Sequence, residues 1–163
     1  MRKTSYERET KETKIRIELN VDGTGECSIE SGIGFFDHII GAFAKHGLFN
    51  IKAEVRGDID VDQHHTIEDF GISLGSAFKE ALGKKLGINR SGFFIYPMDE
   101  VLALVSVDIC GRPFFRFNGK FKNKKVGGFD VELIDDFFEG FANSLGAAVH
   151  IILFYGRSDH HKL

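Results

Sequence analysis

A helical stretch, an apolar strand-like stretch and an acid-flanked pair of histidines occur in that order twice in this chain, and this repeat limits the possible folds more than any other feature. The first copy runs from Asp37 through Phe49 to Val55 and reaches His64 and His65. The second runs from Asp135 through Val149 to Phe154 and reaches His160 and His161. Laid over one another, Asp135 matches Asp37, Phe141 matches Phe43 and Ala142 matches Ala44, while Asp136 falls opposite His38 and small gaps precede the histidine pairs. Such an order implies internal duplication of a half-domain. The length of 163 residues suits one substantial core or two small, closely packed halves.

The first histidine pair lies in GDIDVDQHHTIED, Gly57 to Asp69. Asp58-Ile59-Asp60-Val61-Asp62 alternates acid with β-branched residue, the period of a strand with one polar face. From Thr66 the apolar residues Ile67, Phe70, Leu74, Phe78, Ala81 and Leu82 recur at helical spacing as far as Gly83. The pair is therefore expected where a strand becomes a helix. One helical turn separates His64 from Glu68, so both can face one ion, whereas His65 lies about 100° round the helix and faces elsewhere. Two adjacent histidines then suit two different metals. A calcium loop is excluded, because Gln63 stands where an EF-hand needs glycine and Asp69 where it needs glutamate.

Elsewhere, Ile15, Ile17, Leu19 and Val21 alternate, and Asp22-Gly23-Thr24-Gly25 leads to a short stretch through Cys27 and Ile29, which reads as a hairpin. Glu12 stands just before that first strand. Gly32 and Gly34 lack the third glycine of a dinucleotide fingerprint. Asp37 can cap a helix from about His38 to Lys45 with Ile39, Ile40 and Phe43 inward, and His46 lies at its end. Strands are expected at Phe93 to Tyr96, Val101 to Ile109 and Phe114 to Phe117, and Lys120 to Lys125 reads as an exposed loop or an unpaired edge protected by charge. Arg90 and Arg112 fall at element ends where an anion can be received.

A net charge of −3 and no basic stripe argue against nucleic acid as a partner. No apolar run approaches a membrane span, and the charged, alternating first twenty residues are unlike a signal peptide, so a cytoplasmic protein with no membrane partner is expected. Cys27 and Cys110, the only cysteines, are expected as reduced thiols. Seventeen Phe and no Trp speak of the core rather than of chemistry.

The two histidine pairs supply four imidazoles, and His38, Glu68 and Asp136 add further donors. This set suffices for two divalent ions with mixed nitrogen and oxygen ligation, the element left open by spacing alone. A dinuclear hydrolase of small phosphate esters would use similar ligands.

RETKET, GFFDHIIGAFAKHG, GDIDVDQHHTIEDFGISLG, GINRSG, PMDE, DICGRP and the terminal DHHK, in this order, closely resemble the imidazoleglycerol-phosphate dehydratase family of histidine biosynthesis. The resemblance implies an α+β fold of internally duplicated half-domains, each a small β-sheet with helices packed on one face and of the ribosomal protein S5 domain 2-like type. It implies one dehydratase domain, its halves covering about 1–88 and 89–163. It also implies conversion of imidazole glycerol phosphate to imidazole acetol phosphate and water with two metal ions per site, manganese expected. His38, His65 and His160 would hold one ion; His64, Glu68 and His161 would hold the other, with Asp136 where some members place a ligating histidine. Glu12 and Glu68 would be the catalytic carboxylates. Substrate would meet Glu12, Glu68, His38, His64, His65, His160 and His161, together with Arg90 and Arg112 at its phosphate and His46 at the end of the substrate-lining segment. Sites in this family form between subunits of a large octahedral homo-oligomer. The family's second HisHis motif is followed by two residues, then a glutamate, and then a helix carrying a phosphate-binding lysine; this chain ends at Leu163, one residue before that glutamate. A truncated chain is expected on that count, with a fragment that binds metal and assembles but turns over poorly as the alternative to an active enzyme.

Overall fold

The computed structural model describes residues 2–163. The chain first forms β1 (Lys3–Glu9), β2 (Thr13–Asn20), β3 (Cys27–Glu30), α1 (Gly34–Gly47), β4 (Asn50–Gly57) and α2 (His64–Leu82). It then forms β5 (Ser91–Met98), β6 (Val101–Asp108), β7 (Phe114–Asn118), the short pair β8 (Lys125–Val126) and β9 (Phe129–Asp130), α3 (Leu133–Leu145), β10 (Ala148–Tyr155) and α4 (Asp159–Lys162). The two four-stranded sheets have the orders β1-β2-β4-β3 and β5-β6-β10-β7. In each, a helix crosses over between two parallel strands, β3 to β4 through α1 and β7 to β10 through α3, while the other pairings are antiparallel. The duplication expected from the repeat is thus carried into strand order and direction, and the fold is α+β as anticipated.

The sequence pattern explains the burial. Ile15, Ile17 and Leu19 on β2 are almost wholly buried while Lys14, Arg16 and Glu18 face outward, so one sheet face is covered and one is wet. On α2, Ile67, Phe70, Leu74 and Phe78 return every three or four residues and fill the space over β1 and β2. The phenylalanines interlock across the halves: the Phe36 ring meets Phe70 edge-on at 5.2 Å and Phe137 at 5.9 Å. Helices α2 and α3 pack along each other. A Cβ at Gly71 would strike the Phe137 carbonyl, and one at Gly140 would lie 3.1 Å from the Glu68 carbonyl, so glycine at the crossing lets the two backbones approach.

Three local expectations are corrected. β2 and β3 do not form a hairpin; β2 pairs with β1 and β4, and β3 lies parallel to β4 on its other side. Asn50 occupies the place of a turn partner, its Oδ1 accepting from the N–H groups of Thr24, Gly25 and Glu26. Residues 58–62 form a turn, not a strand: β4 stops at Gly57, the Val61 N–H donates to the Asp58 carbonyl, and Val61 is 76% exposed. Asp37 lies inside the first turn of α1, which begins earlier at Gly34, and its carboxylate accepts from the Ser31 N–H and hydroxyl. Among the described residues no helix is long and apolar enough to cross a membrane.

Candidate functional site

The first histidine pair opens α2. A Cβ at Gly57 would collide with the Thr66 hydroxyl, so a residue without a side chain at the end of β4 lets the start of α2 settle against the sheet. His64 then faces α3. Its Nε2 lies 3.7 Å from Glu68 Oε2, one turn along the same helix, and its Nδ1 lies 3.3 Å from Asp136 Oδ2 in the first turn of α3. His65 turns away from that group, and its Nδ1 sits 3.1 Å from Asp58 Oδ2. His64 and Glu68 thus share one side of α2, and His65 faces another.

The second pair opens α4 and is divided in the same manner. The His160 ring faces Phe35 at 5.2 Å and His38 at 5.8 Å. His161 places Nδ1 3.2 Å from Glu100 Oε2 and Nε2 3.8 Å from Asp99 Oδ2. Asp99, Glu100 and His161 form a group able to hold a metal ion. The turn carrying this pair is anchored by buried Asp159, whose Oδ2 accepts from the Lys122 and Asn123 N–H groups while Oδ1 pairs with Lys162.

A common device emerges. In each half, the second histidine of the pair has Nδ1 held by a carboxylate, Asp58 for His65 and Glu100 for His161. Such a contact favours the tautomer that donates from Nδ1 and leaves Nε2 with its lone pair free for a ligand. Donation from His65 to the Asp58 carboxylate, opposed by desolvation and aided by the charges of Asp58, Glu12 and Asp62, raises the His65 pKa above its ordinary value. Glu100 is held down at about 2 by its own N–H, by the Ser158 N–H and by His161, so it remains an acceptor at any physiological pH. The donor set of imidazole and carboxylate fits a borderline divalent metal.

The ligand sets implied by the resemblance are each divided within one chain. His38 meets His160 but not His65, and His64 with Glu68 does not include His161, which lies with Asp99 and Glu100. Glu12 is exposed in the turn between β1 and β2, near enough to His65 for its charge to act on that imidazole. The His46 ring packs 5.9 Å from Tyr96 at the end of α1, outside both groups. Arg90 and Arg112 lie where β5 begins and β6 ends, Arg90 paired to Asp108 at 2.7 Å and Arg112 exposed beside Gly111. The partners Asp99 and Glu100 were not legible as site residues, because they reach His161 from a turn 61 residues earlier in the chain and no local spacing marks the contact.

Fold and site together define a duplicated α+β protein with paired histidine–carboxylate groups of metal-binding chemistry. The family model for imidazoleglycerol-phosphate dehydratase matches residues 31–163, and the chain belongs to that family. It is 53% identical over 163 residues to the imidazoleglycerol-phosphate dehydratase of Koribacter versatilis, covering all of this chain and 84% of the relative. It is 52% identical over 160 residues to that of Citrifermentans bemidjiense, covering 98% of this chain and 82% of the relative. The crystal structure of the Staphylococcus aureus enzyme superposes with a TM-score of 0.86 at 34% identity, covering 98% of this chain and 89% of that one. The Pyrococcus furiosus structure gives 0.83 at 36% identity, covering 95% and 82%. Membership makes the chain a dehydratase, a carbon–oxygen hydro-lyase of histidine biosynthesis.

Proposed function

We propose that this chain removes water from imidazole glycerol phosphate to give imidazole acetol phosphate in the cytoplasm, its halves 1–88 and 89–163 acting as one domain. The active form is a homo-oligomer whose sites are shared between copies. His38, His65 and His160 hold one divalent ion and His64, Glu68 and His161 the other, with Asp136 beside the second; manganese is the expected element. When bound, the ions supply Lewis acidity and orient the substrate imidazole. Glu12 moves a proton at the leaving hydroxyl, with Glu68 as the second catalytic carboxylate. Arg90 and Arg112 offer guanidinium forks to the phosphate.

The placement of the arginines carries the shared-site reading. Asp99 and Glu100 lie at one end of the β5–β6 hairpin and the arginines at the other, eight strand residues away. At about 3.3 Å per residue that is roughly 25 Å. Asp136 likewise opens α3, whereas the Gly111 turn is bonded to Gly146 at the far end of that helix. A three-carbon chain between an imidazole and a phosphate cannot bridge such a gap, which supports arginines supplied by a second copy.

The test is complementation. A chain carrying Arg90→Ala and Arg112→Ala is co-assembled with a His64→Ala chain, and water loss is followed with added manganese. Each variant alone should be inactive and the mixture should recover activity. Co-assembled but inactive mixtures would refute the shared site. Release of inorganic phosphate in place of the dehydrated product would favour a hydrolase instead.

A further inference from the structure

We infer that Asp69, which contacts neither a proposed ligand nor the substrate, is a positioning residue that sets the catalytic carboxylate of Glu12. The inference rests on the reading of Glu12 as a proton-moving group. Asp69 follows Glu68 on α2 but points the other way, into the sheet, where its side chain is only 11% exposed. Its Oδ1 accepts from Arg8 Nη2 at 2.8 Å and Nε at 2.9 Å. Its Oδ2 accepts from the Thr13 hydroxyl at 2.5 Å and the Thr10 hydroxyl at 3.3 Å. These four donors use the full acceptor capacity of a carboxylate.

The Thr10 hydroxyl is used as completely. It donates to Asp69 and accepts from the N–H groups of Glu12 at 3.2 Å and Thr13 at 3.0 Å. A continuous chain thus runs from the Asp69 carboxylate through one hydroxyl to the backbone of Glu12. The turn is closed by the Thr10 N–H donating to the Thr13 carbonyl at 2.8 Å. Glu12 itself is exposed and makes no side-chain hydrogen bond among the described residues, so the backbone of the turn sets where its carboxylate stands. Arg8 and Thr13 belong to β1 and β2, which Asp69 clamps on either side of the turn.

The consequence is mechanical coupling. α2 carries His64 and Glu68 on one side and Asp69 on the other, so the helix that bears proposed ligands also fixes the distance from them to Glu12. An asparagine at 69 would put a donor where two donors already point, either at Arg8 or at the two threonine hydroxyls, and the turn would lose its reference. A displacement on the order of 1 Å of a reacting group costs about a hundredfold in rate.

The experiment compares Asp69→Asn, Glu12→Gln and the double variant in the assembled protein with manganese, reading kcat, KM and bound metal. Asp69→Asn should lower kcat by about ten- to a hundredfold with KM and metal content nearly unchanged. In the Glu12→Gln background the same substitution should change kcat less than about threefold, because its effect passes through a carboxylate no longer there. An equal loss in both backgrounds, or metal loss in step with activity, overturns the inference. A Glu12→Gln variant of full activity would instead refute the role given to Glu12. Thr10→Val, which spares the buried carboxylate, supplies a readout independent of turnover: amide exchange at Glu12 and Thr13 should accelerate while Ile15 and Ile17 stay protected. Unchanged exchange at Glu12 overturns the inference as well.

Discussion

The carboxylates behind His65 and His161 matter because an imidazole can present only one nitrogen lone pair when neutral, and something must choose which. Asp58 and Glu100 make that choice at Nδ1, from different elements and different points in the chain. Asp58→Ala should therefore weaken metal binding by about ten- to a hundredfold without removing a ligand, measured as metal retained on dialysis against a chelator. Only strong acid should reach the anchors of α4. Burial alone would raise the Asp159 carboxyl, but Lys162 and the Asn123 and Lys122 N–H groups hold it at about 2, as Glu100 is held at about 2. Carboxyls depressed on folding give stability that is present above their ordinary values, 3.8 and 4.5, and is lost as pH falls through about 2. The Ser158 amide, which donates to Glu100, should keep its folded resonance position down to about pH 4 and move in the window below. The histidine pairs, Glu68 and Asp136 were legible in the sequence, because helical spacing and the repeat mark them. Their Nδ1 partners were not, since contacts across the fold leave no period behind.

Helix spacing was also the pattern that translated most faithfully into an element, with α2 found where Ile67, Phe70, Leu74 and Phe78 place it. Strand-like alternation misled where no face was there to be buried. Residues 58–62 alternate but follow Gly57, where the sheet ends, and Ile59 and Val61 remain exposed. Conversely, β1 was not foreseen because Tyr6 is its sole large apolar residue among Lys3, Thr4, Ser5, Glu7, Arg8 and Glu9; its pairing with β2, not its own pattern, makes it a strand. The close crossing of α2 and α3 depends on glycines that sequence alone would count as weak points in a helix. Gly71→Ala should force the helices apart, destabilising the fold by about 1–3 kcal/mol in chemical denaturation. It should also loosen the His64–Asp136 contact, which spans that crossing at 3.3 Å.

At the level of the molecule, the two halves differ in how well they cover themselves. Sheet one buries a clean apolar face, whereas β5 is exposed along its whole length, with Phe93 73% and Phe94 64% open to solvent. Phe114, Phe154 and Tyr155 add to this surface in the second half. Apolar area of this kind, on both faces of an edge strand, calls for a partner surface. The same half carries Arg90 and Arg112 at one end and the Asp99–Glu100–His161 group at the other, so covering β5 with a second copy is also the act that can bring arginines of one chain towards histidines of another. Assembly and activity should then fail together. Phe93→Glu, at an exposed strand position, should reduce the mass of the particle in sedimentation while leaving the helix content of the chain unchanged, and dehydration should fall with the particle. Phe93→Leu should preserve both. A Phe93→Glu protein that stays assembled, or one that dissociates yet retains full turnover, would separate the exposed strand from the shared site.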